Sequence, residues 1–550
     1  MRQALLRPAV RFMVLALASG VAASLGAQAA RVPGTVVIGT AGDAALPIPF
    51  IGTSNSQNAN VADQLFLRLG ILAPPYRTVG DAALTPMLAR SWRRIDSLTL
   101  TFELDPRTRW HDGSPVTAHD VVFTWGIARN PKINPNIASL ESVAAVEETG
   151  PRSIRVRFRR AYPEQLYRFG FEMYVLPAHL LERMPAESIS TSDFASHPVG
   201  NGPYRWARRV PGQLVELRAD TAFFLGRPGI ARVVFSPAGD PTARLNKLLS
   251  GETDVMEQLL PPDLAQLVGH PQLRTVHVSS NSLTYALFNQ RSGSDTSQPN
   301  RILTDARIRE ALTLALDRRA MATVIYGTTA LVPDAAESQL WSWITGGSIS
   351  GAPQNLARAR TLLAAAGWRD TDGDGTLDKG GVPLKLSVIY PETSAARVAF
   401  ALQVQAMWKT VAVAADLQPV PGPVWVSRRN SGQFDVDIVT VNQDASPSSL
   451  VESWSCASAR APGSSNKAHW CDPAFDQLVD AALRSSKPVD AWRSVLKRMA
   501  DQHPAAFLAA PSNVVAVHTR YDNVTVLPVR QWLSLWQWRV KTSAALARDR

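Results

Sequence analysis

The segment Pro86-Met87-Leu88-Ala89-Arg90-Ser91-Trp92 leads into Thr99-Leu100-Thr101-Phe102-Glu103-Leu104 and then Trp110-His111-Asp112-Gly113-Ser114-Pro115-Val116-Thr117-Ala118-His119-Asp120-Val121. Leu98, Leu100, Phe102 and Leu104 alternate with Thr99, Thr101 and Glu103, the period of a strand with one buried and one wet face. Asp112-Gly113 supplies turn chemistry, since Gly accepts the backbone angles that a tight turn demands. Thr117 then reads as a helix cap, with Asp120 favourable at the positive end of the helix and Val121, Val122 and Trp125 following. The unit is strand, turn and capped helix. As turn residues His111 and Asp112 need no ligand to explain them, and a metal site is the weaker reading.

Working outward, Thr35-Val36-Val37-Ile38 predicts a first strand. Arg152 to Arg160 alternates Ile154, Val156 and Phe158 with Arg155, Arg157 and Arg159, a strand with a solvated basic face. Asp305 caps a predicted helix carrying Ile308, Ala311, Leu312 and Ala315 on one side and ending at Gly327. Leu356, Ala359, Leu362, Leu363 and Ala366 repeat that pattern before Gly367, and Asp472-Pro473 opens another helix with Phe475, Leu478, Val479 and Ala482 on one face. Strand-like runs at 384–389 and 435–441 lie between helices, so the C-terminal half reads as α/β. The Ser/Gly-rich stretch 291–300 is the best candidate for a linker.

A chain of 550 residues exceeds what one core ordinarily holds, so two or more packed units are expected. Arg2, Arg7 and Arg11 precede the apolar run Phe12 to Ala18, and Ala27-Gln28-Ala29 offers small residues at a cleavage point, so 1–29 reads as an export signal. The run is short and broken by Ser19 and Gly20, too little for a membrane span. No cysteine follows it, so a lipid anchor is not expected. Without those three arginines the formal charge falls from +11 to +8, modest for the length, and no nucleic-acid partner is implied. Cys456 and Cys471 are the only cysteines, and in an oxidising compartment they are a disulfide candidate.

Several segments together resemble the family 5 extracytoplasmic solute-binding proteins, a group that includes dipeptide-, oligopeptide- and nickel-binding proteins. The block at 86–121 carries most of the likeness. It is supported by Pro198-Val199-Gly200-Asn201-Gly202-Pro203-Tyr204, by Ser250-Gly251-Glu252-Thr253-Asp254-Val255, and by Arg309-Glu310-Ala311-Leu312 with Ala315-Leu316-Asp317-Arg318. Trp454-Ser455-Cys456 and Trp470-Cys471-Asp472-Pro473-Ala474-Phe475-Asp476 are similar to the dipeptide-binding branch. The resemblance implies an α/β, two-lobed clamp of the type II periplasmic-binding kind with an extra subdomain in lobe I. Lobe I would cover 30–295 with a return of 515–550, and lobe II 296–514. It also implies a periplasmic substrate-binding component of an ABC importer, without enzymatic activity or cofactor, that delivers a short peptide to the permease subunits as a monomer. The alternatives are the same fold with a nickel chelate, a glycan fragment or haem as cargo, or an exported hydrolase.

In peptide-binding relatives a loop just before this cysteine region carries an Asp whose carboxylate pairs with the ligand's α-amino group. Here the loop reads Val441-Asn442-Gln443-Asp444-Ala445-Ser446-Pro447. Aligned on Pro447, the anchoring position falls at Gln443 and a second Asp position at Ser446, with Asp444 one residue away. Asn442, Gln443 and Asp444 are therefore candidate ligand contacts, and Asp444 reads either as the amine's partner or as an Asx-turn residue. Trp425, Trp454 and Trp341 are candidate pocket walls, with core packing as the other reading.

The remaining motifs are weak. Asp370-Thr371-Asp372-Gly373-Asp374-Gly375 imitates a calcium loop, but Gly381 stands at the position that needs a bidentate Glu, so a polar turn is expected. Ser464-x-x-Lys467 and Ser494-x-x-Lys497 lack the companion motifs of acyl-transfer enzymes, and no Gly-x-Ser-x-Gly or P-loop occurs. The nine histidines show no His-x-x-x-His pair, so no metal centre is expected.

Overall fold

The computed structural model describes residues 34–549 except 52–54, 135–139, 141, 348–350 and 462, and the expected export signal at 1–29 lies outside the described residues. Two main sheets organise the chain. The seven-stranded sheet runs in the order Leu273–Val278, Asn513–His518, Val255–Met256, Thr35–Thr40, Arg232–Pro237, Leu214–Ala219, Tyr204–Val210. Its central strand Thr35–Thr40 is parallel to both neighbours, and Val36 and Ile38 are buried. The five-stranded sheet runs Ala414–Val420, Lys385–Pro391, Val436–Asn442, Ser282–Phe288, Ala505–Ala509.

The chain passes from the first sheet to the second between Val278 and Ser282, and returns between Ala509 and Asn513. The Ser/Gly-rich stretch lies beyond the first crossover. It folds back on itself through an Arg291–Pro299 bridge, and its last residue, Asn300, is buried.

A third, four-stranded antiparallel sheet, Ala89–Asp96, Thr99–Leu104, Ser153–Phe158, Val143–Gly150, branches from the N-terminal part. Leu100, Phe102, Leu104, Ile154, Val156 and Phe158 bury one face, while Arg155 and Arg157 meet Glu147 on the other. Leu98 departs from the alternation and is 38% exposed. Asp96 accepts the Leu98 amide at 2.7 Å, which turns the chain before the strand begins.

Thr117 is the N-cap of the helix Ala118–Ala128, and Asp120 closes the capping box by accepting the Thr117 amide at 2.8 Å. The helix expected from Asp305 to Gly327 is two helices, Ala306–Leu314 and Arg318–Tyr326. Asp317 breaks it by accepting the Ala320 amide and so capping the second helix, which Gly327 ends with a positive φ of 88°.

The signature segments interlock. The His111 amide donates to the Gly200 carbonyl at 2.7 Å, the Gly200 amide donates to Nδ1 at 3.1 Å, and Nε2 lies 3.0 Å from the Gly202 carbonyl. Burial pushes the imidazole pKa down to about 4, so the ring is a neutral structural pin.

Candidate ligand-binding site

Three side chains from residues 164–168, beside the third sheet on which Phe169 packs through Phe102, meet the loop that follows the strand Val436–Asn442. The Tyr167 hydroxyl donates to Asp444 Oδ1 at 3.0 Å, Arg168 Nη2 donates to Ser448 Oγ at 2.6 Å, and Ser446 Oγ donates to Glu164 Oε2 at 2.5 Å. Tyr167 and Arg168 stand on a π-helical turn, Tyr167–Phe171. Such turns are rare and recur at functional sites.

The Asp444 loop is held by Asn281 in the first crossover, by Trp341 of lobe II and by its own turn. The Gln443 amide donates to the Asn281 carbonyl, and Asn281 Nδ2 returns a bond to the Gln443 carbonyl. Trp341 is fully buried and its Nε1 donates to the carbonyls of Asp444 and Ala445, at 3.2 and 3.1 Å. The Ser446 amide donates to Asp444 Oδ1 at 2.6 Å, an Asx turn. Asp444 thus makes the turn and still faces the other lobe through the same carboxylate.

Charged groups crowd there. Glu172 pairs with Arg168 at 2.6 Å. Burial pushes the Glu172 pKa up to about 8 against the pull of Arg168, and the Asp444 charge adds to the rise. Arg168 stays protonated, because Glu172, Asp444 and Glu164 outweigh its burial. Glu172 is therefore largely protonated at neutral pH, and Glu164 and Asp444 face Arg168 and the nearby Arg530.

The other residues singled out in the sequence fall in different places. Asn442 is exposed and accepts from Ser282 Oγ, and the Gln443 side chain is buried. Trp454 is a core side chain packed on Tyr285, Trp470 and Phe507. Trp425 is half-buried and donates to Asp437 Oδ1 at 2.8 Å, with the Arg397 guanidinium 4.8 Å above its ring. Cys456 and Cys471 form a disulfide. Asp370, Asp372 and Asp374 sit exposed in the expected polar turn, their carboxylates drawn together.

Sequence reasoning missed Glu164, Tyr167, Arg168 and Glu172. For Tyr167, Arg168 and Glu172 the signal was polar groups interrupting an apolar run from Leu166 to Leu176, and Glu164 just before it had none.

Two sheets joined by two crossovers, with polar side chains of the N-terminal part meeting a loop of the C-terminal part, define a two-lobed binding protein. A family model described as bacterial extracellular solute-binding proteins, family 5, middle, matches residues 83–460, and the chain belongs to that family. The oligopeptide-binding protein AppA of Bacillus subtilis is 25% identical over 463 residues, covering 82% of each chain. The periplasmic murein peptide-binding protein MppA of Escherichia coli is 25% identical over 490 residues, also covering 82% of each.

Among solved structures, AppA from Bacillus subtilis in complex with a nonapeptide matches with a TM-score of 0.76 and 23% identity, covering 92% of this chain and 99% of that one. NikZ from Campylobacter jejuni in complex with Ni(L-His) matches with a TM-score of 0.78 and 20% identity, over the same shares. These likenesses carry the two-lobed fold. Among the described residues no helix is long and apolar enough to cross a membrane.

Proposed function

We propose that this protein is the substrate-binding component of an ABC importer, exported to the periplasm by the leader at 1–29. It captures short peptides between its lobes as a monomer and delivers them to the permease subunits, acting by binding alone. The lobes divide at 279–281 and 510–512, where the chain changes sheets, in place of 295 and 514. The kinship with the peptide-binding relatives AppA and MppA supports this reading.

The observation that carries it is the Asp444 carboxylate, presented on a braced loop that faces the N-terminal part of the chain through Tyr167. A peptide's α-ammonium is a charged amine, and on leaving water it requires such a carboxylate partner. Ligand bound there holds the lobes together and shifts the population towards the closed form that the permease recognises.

Calorimetry with a mixture of di- to pentapeptides tests this. Asp444→Asn keeps the Asx turn but leaves the amine unmatched, so binding weakens by about 2–5 kcal/mol. N-acetylated peptides lose affinity on the wild type to a similar degree. Tight binding that survives both changes overturns Asp444 as the anchor, and a wild type that binds no peptide overturns the cargo.

A further inference from the structure

The two crossovers run side by side. Val278 pairs with Asn513 in the first sheet and Thr284 with Ala509 in the second, so two neighbouring antiparallel strands continue from one lobe into the other. Between those pairs the ladder lapses, and among the described residues no backbone bond joins 279–281 to 510–512. The Gln339 side chain fills the gap. Its Oε1 accepts from the Ser280 amide at 3.2 Å, and its Nε2 donates to the Ala510 carbonyl at 2.8 Å. A carboxamide carries the same donor and acceptor as a peptide group, so it stands in for the missing rung.

Each crossover also has its own attachment to lobe II. The Ala510 amide donates to the Leu331 carbonyl at 2.7 Å, and the Leu331 amide donates back to the Ala510 carbonyl at 3.0 Å. The first crossover is fixed instead to the Asp444 loop, through the bonds between Asn281 and Gln443 at 2.7 and 2.8 Å. Gln339 joins the two attachments. It opens the three-residue turn Gln339–Trp341, capped by the fully buried Ser338, whose Oγ accepts the Leu340 amide and whose carbonyl accepts the Trp341 amide. Two residues on, Trp341 Nε1 holds the carbonyls of Asp444 and Ala445. A ring of hydrogen bonds therefore runs from the Asp444 loop through Trp341, Gln339, Ser280 and Asn281 back to the loop, and it passes through the place where the chain changes lobes.

We propose that Gln339 is the positioning residue of the hinge. Its carboxamide keeps the two crossovers in step, and the ring makes them one unit with the Asp444 loop, so that a ligand seated at Asp444 acts on the hinge directly. Unjoined, each crossover bends on its own and the lobes sample a wider range of angles. Joined, they bend together, and closure on a ligand has no loose hinge to order. The coupling to ligand rests on the reading of the protein as a peptide receptor, whereas the joining of the crossovers does not.

The test uses the full chain with dyes on the two lobes and reads the spread of interlobe distances by single-molecule energy transfer without ligand. Gln339→Met keeps the side chain's length and loses both bonds, so the spread widens relative to wild type. Gln339→Glu separates bonding from packing. Its carboxylate at about pH 8 cannot donate to Ala510, while its protonated form at about pH 4 offers one donor and one acceptor as the amide does. Relative to wild type at the same pH, the Gln339→Glu spread is therefore wide at the higher pH and returns to the wild-type value at the lower, while Gln339→Met stays wide at both.

Calorimetry with the mixture of di- to pentapeptides reads the coupling. Gln339→Met is expected to bind at least about fivefold more weakly, the preorganisation supplied by one neutral hydrogen bond. A Gln339→Met spread equal to that of wild type overturns the proposal, as does a Gln339→Glu spread that low pH fails to narrow. Unchanged peptide affinity in Gln339→Met overturns the coupling to the Asp444 loop. A wild type that binds none of the peptides overturns the peptide reading alone, because the spread is read without ligand.

Discussion

The Tyr167 hydroxyl and the Asp444 carboxylate, 277 residues apart in the chain, form a 3.0 Å hydrogen bond that ties one lobe to the other. A hydrogen bond to an ionised acceptor contributes about 1.5–3 kcal/mol, so this bond biases the lobes towards contact even without ligand. Tyr167→Phe removes the hydroxyl and keeps the ring, which stacks on Phe171 at 5.4 Å. The closed-to-open ratio of the ligand-free protein should fall at least about tenfold. Interlobe energy transfer between dyes on the two lobes reads that ratio. An unchanged ratio would show that the bond does not hold the lobes.

Glu172 makes the interlobe region sensitive to pH. Its pKa in the folded protein, about 8, lies above the ordinary 4.5, so the folded state takes up a proton that the unfolded state releases. The contribution is fully favourable below about 4.5 and is lost as pH rises through about 8. Glu172→Gln imitates the protonated form and still accepts from Arg168. Melting temperatures measured from pH 5 to pH 9 should fall more steeply for wild type than for Glu172→Gln. Parallel curves would refute the assignment.

What the sequence disclosed and what it hid follow from contact range. The strand Thr99–Leu104, the Asp112-Gly113 turn and the Thr117 cap are decided by neighbours a few residues away, so alternation and capping chemistry reveal them. The break at Asp317 was misread because apolar spacing continues through it, while the side chain's bond to the Ala320 amide is invisible to periodicity.

The candidate site was only partly legible. Asp444 stood out through its loop, but Tyr167, Arg168 and Glu164 reach it only by tertiary packing. Trp341 also had a role the pattern could not show, since it braces the Asp444 loop from the core.

The signature glycine Gly200 has a steric reason to be glycine. A Cβ there would lie 1.9 Å from the Leu65 carbonyl oxygen and 3.2 Å from His111 Cε1, and the first of these is rigid backbone. Gly200→Ala must therefore push two segments apart and disturb the His111 bonds to residues 200 and 202. The expected loss is about 3 kcal/mol or more, in the range of overpacked core changes. Urea unfolding followed by circular dichroism measures it. Gly251→Ala, where a Cβ would meet nothing within 4 Å but φ is +78°, isolates the cost of backbone strain alone. Equal losses in the two variants would remove the steric explanation.

The Cys456–Cys471 disulfide, with a sequence separation of 15, closes the loop that carries Asn466 and Lys467 and sits beside the helix bearing Trp454. In the chain-entropy model a loop of this size contributes about 3 kcal/mol by restricting the unfolded chain. The folded loop has its own bonds, because Asn466 spans it and the Asp476 carboxylate accepts the Cys456 amide at 3.1 Å. Cys456→Ser with Cys471→Ser should therefore lower the urea midpoint while leaving the unliganded fold in place at low denaturant. Thiol titration of the denatured, unreduced wild type should find no free thiol. If the double variant unfolds at the wild-type urea concentration, the disulfide adds nothing to stability and the loop's hydrogen bonds alone hold it.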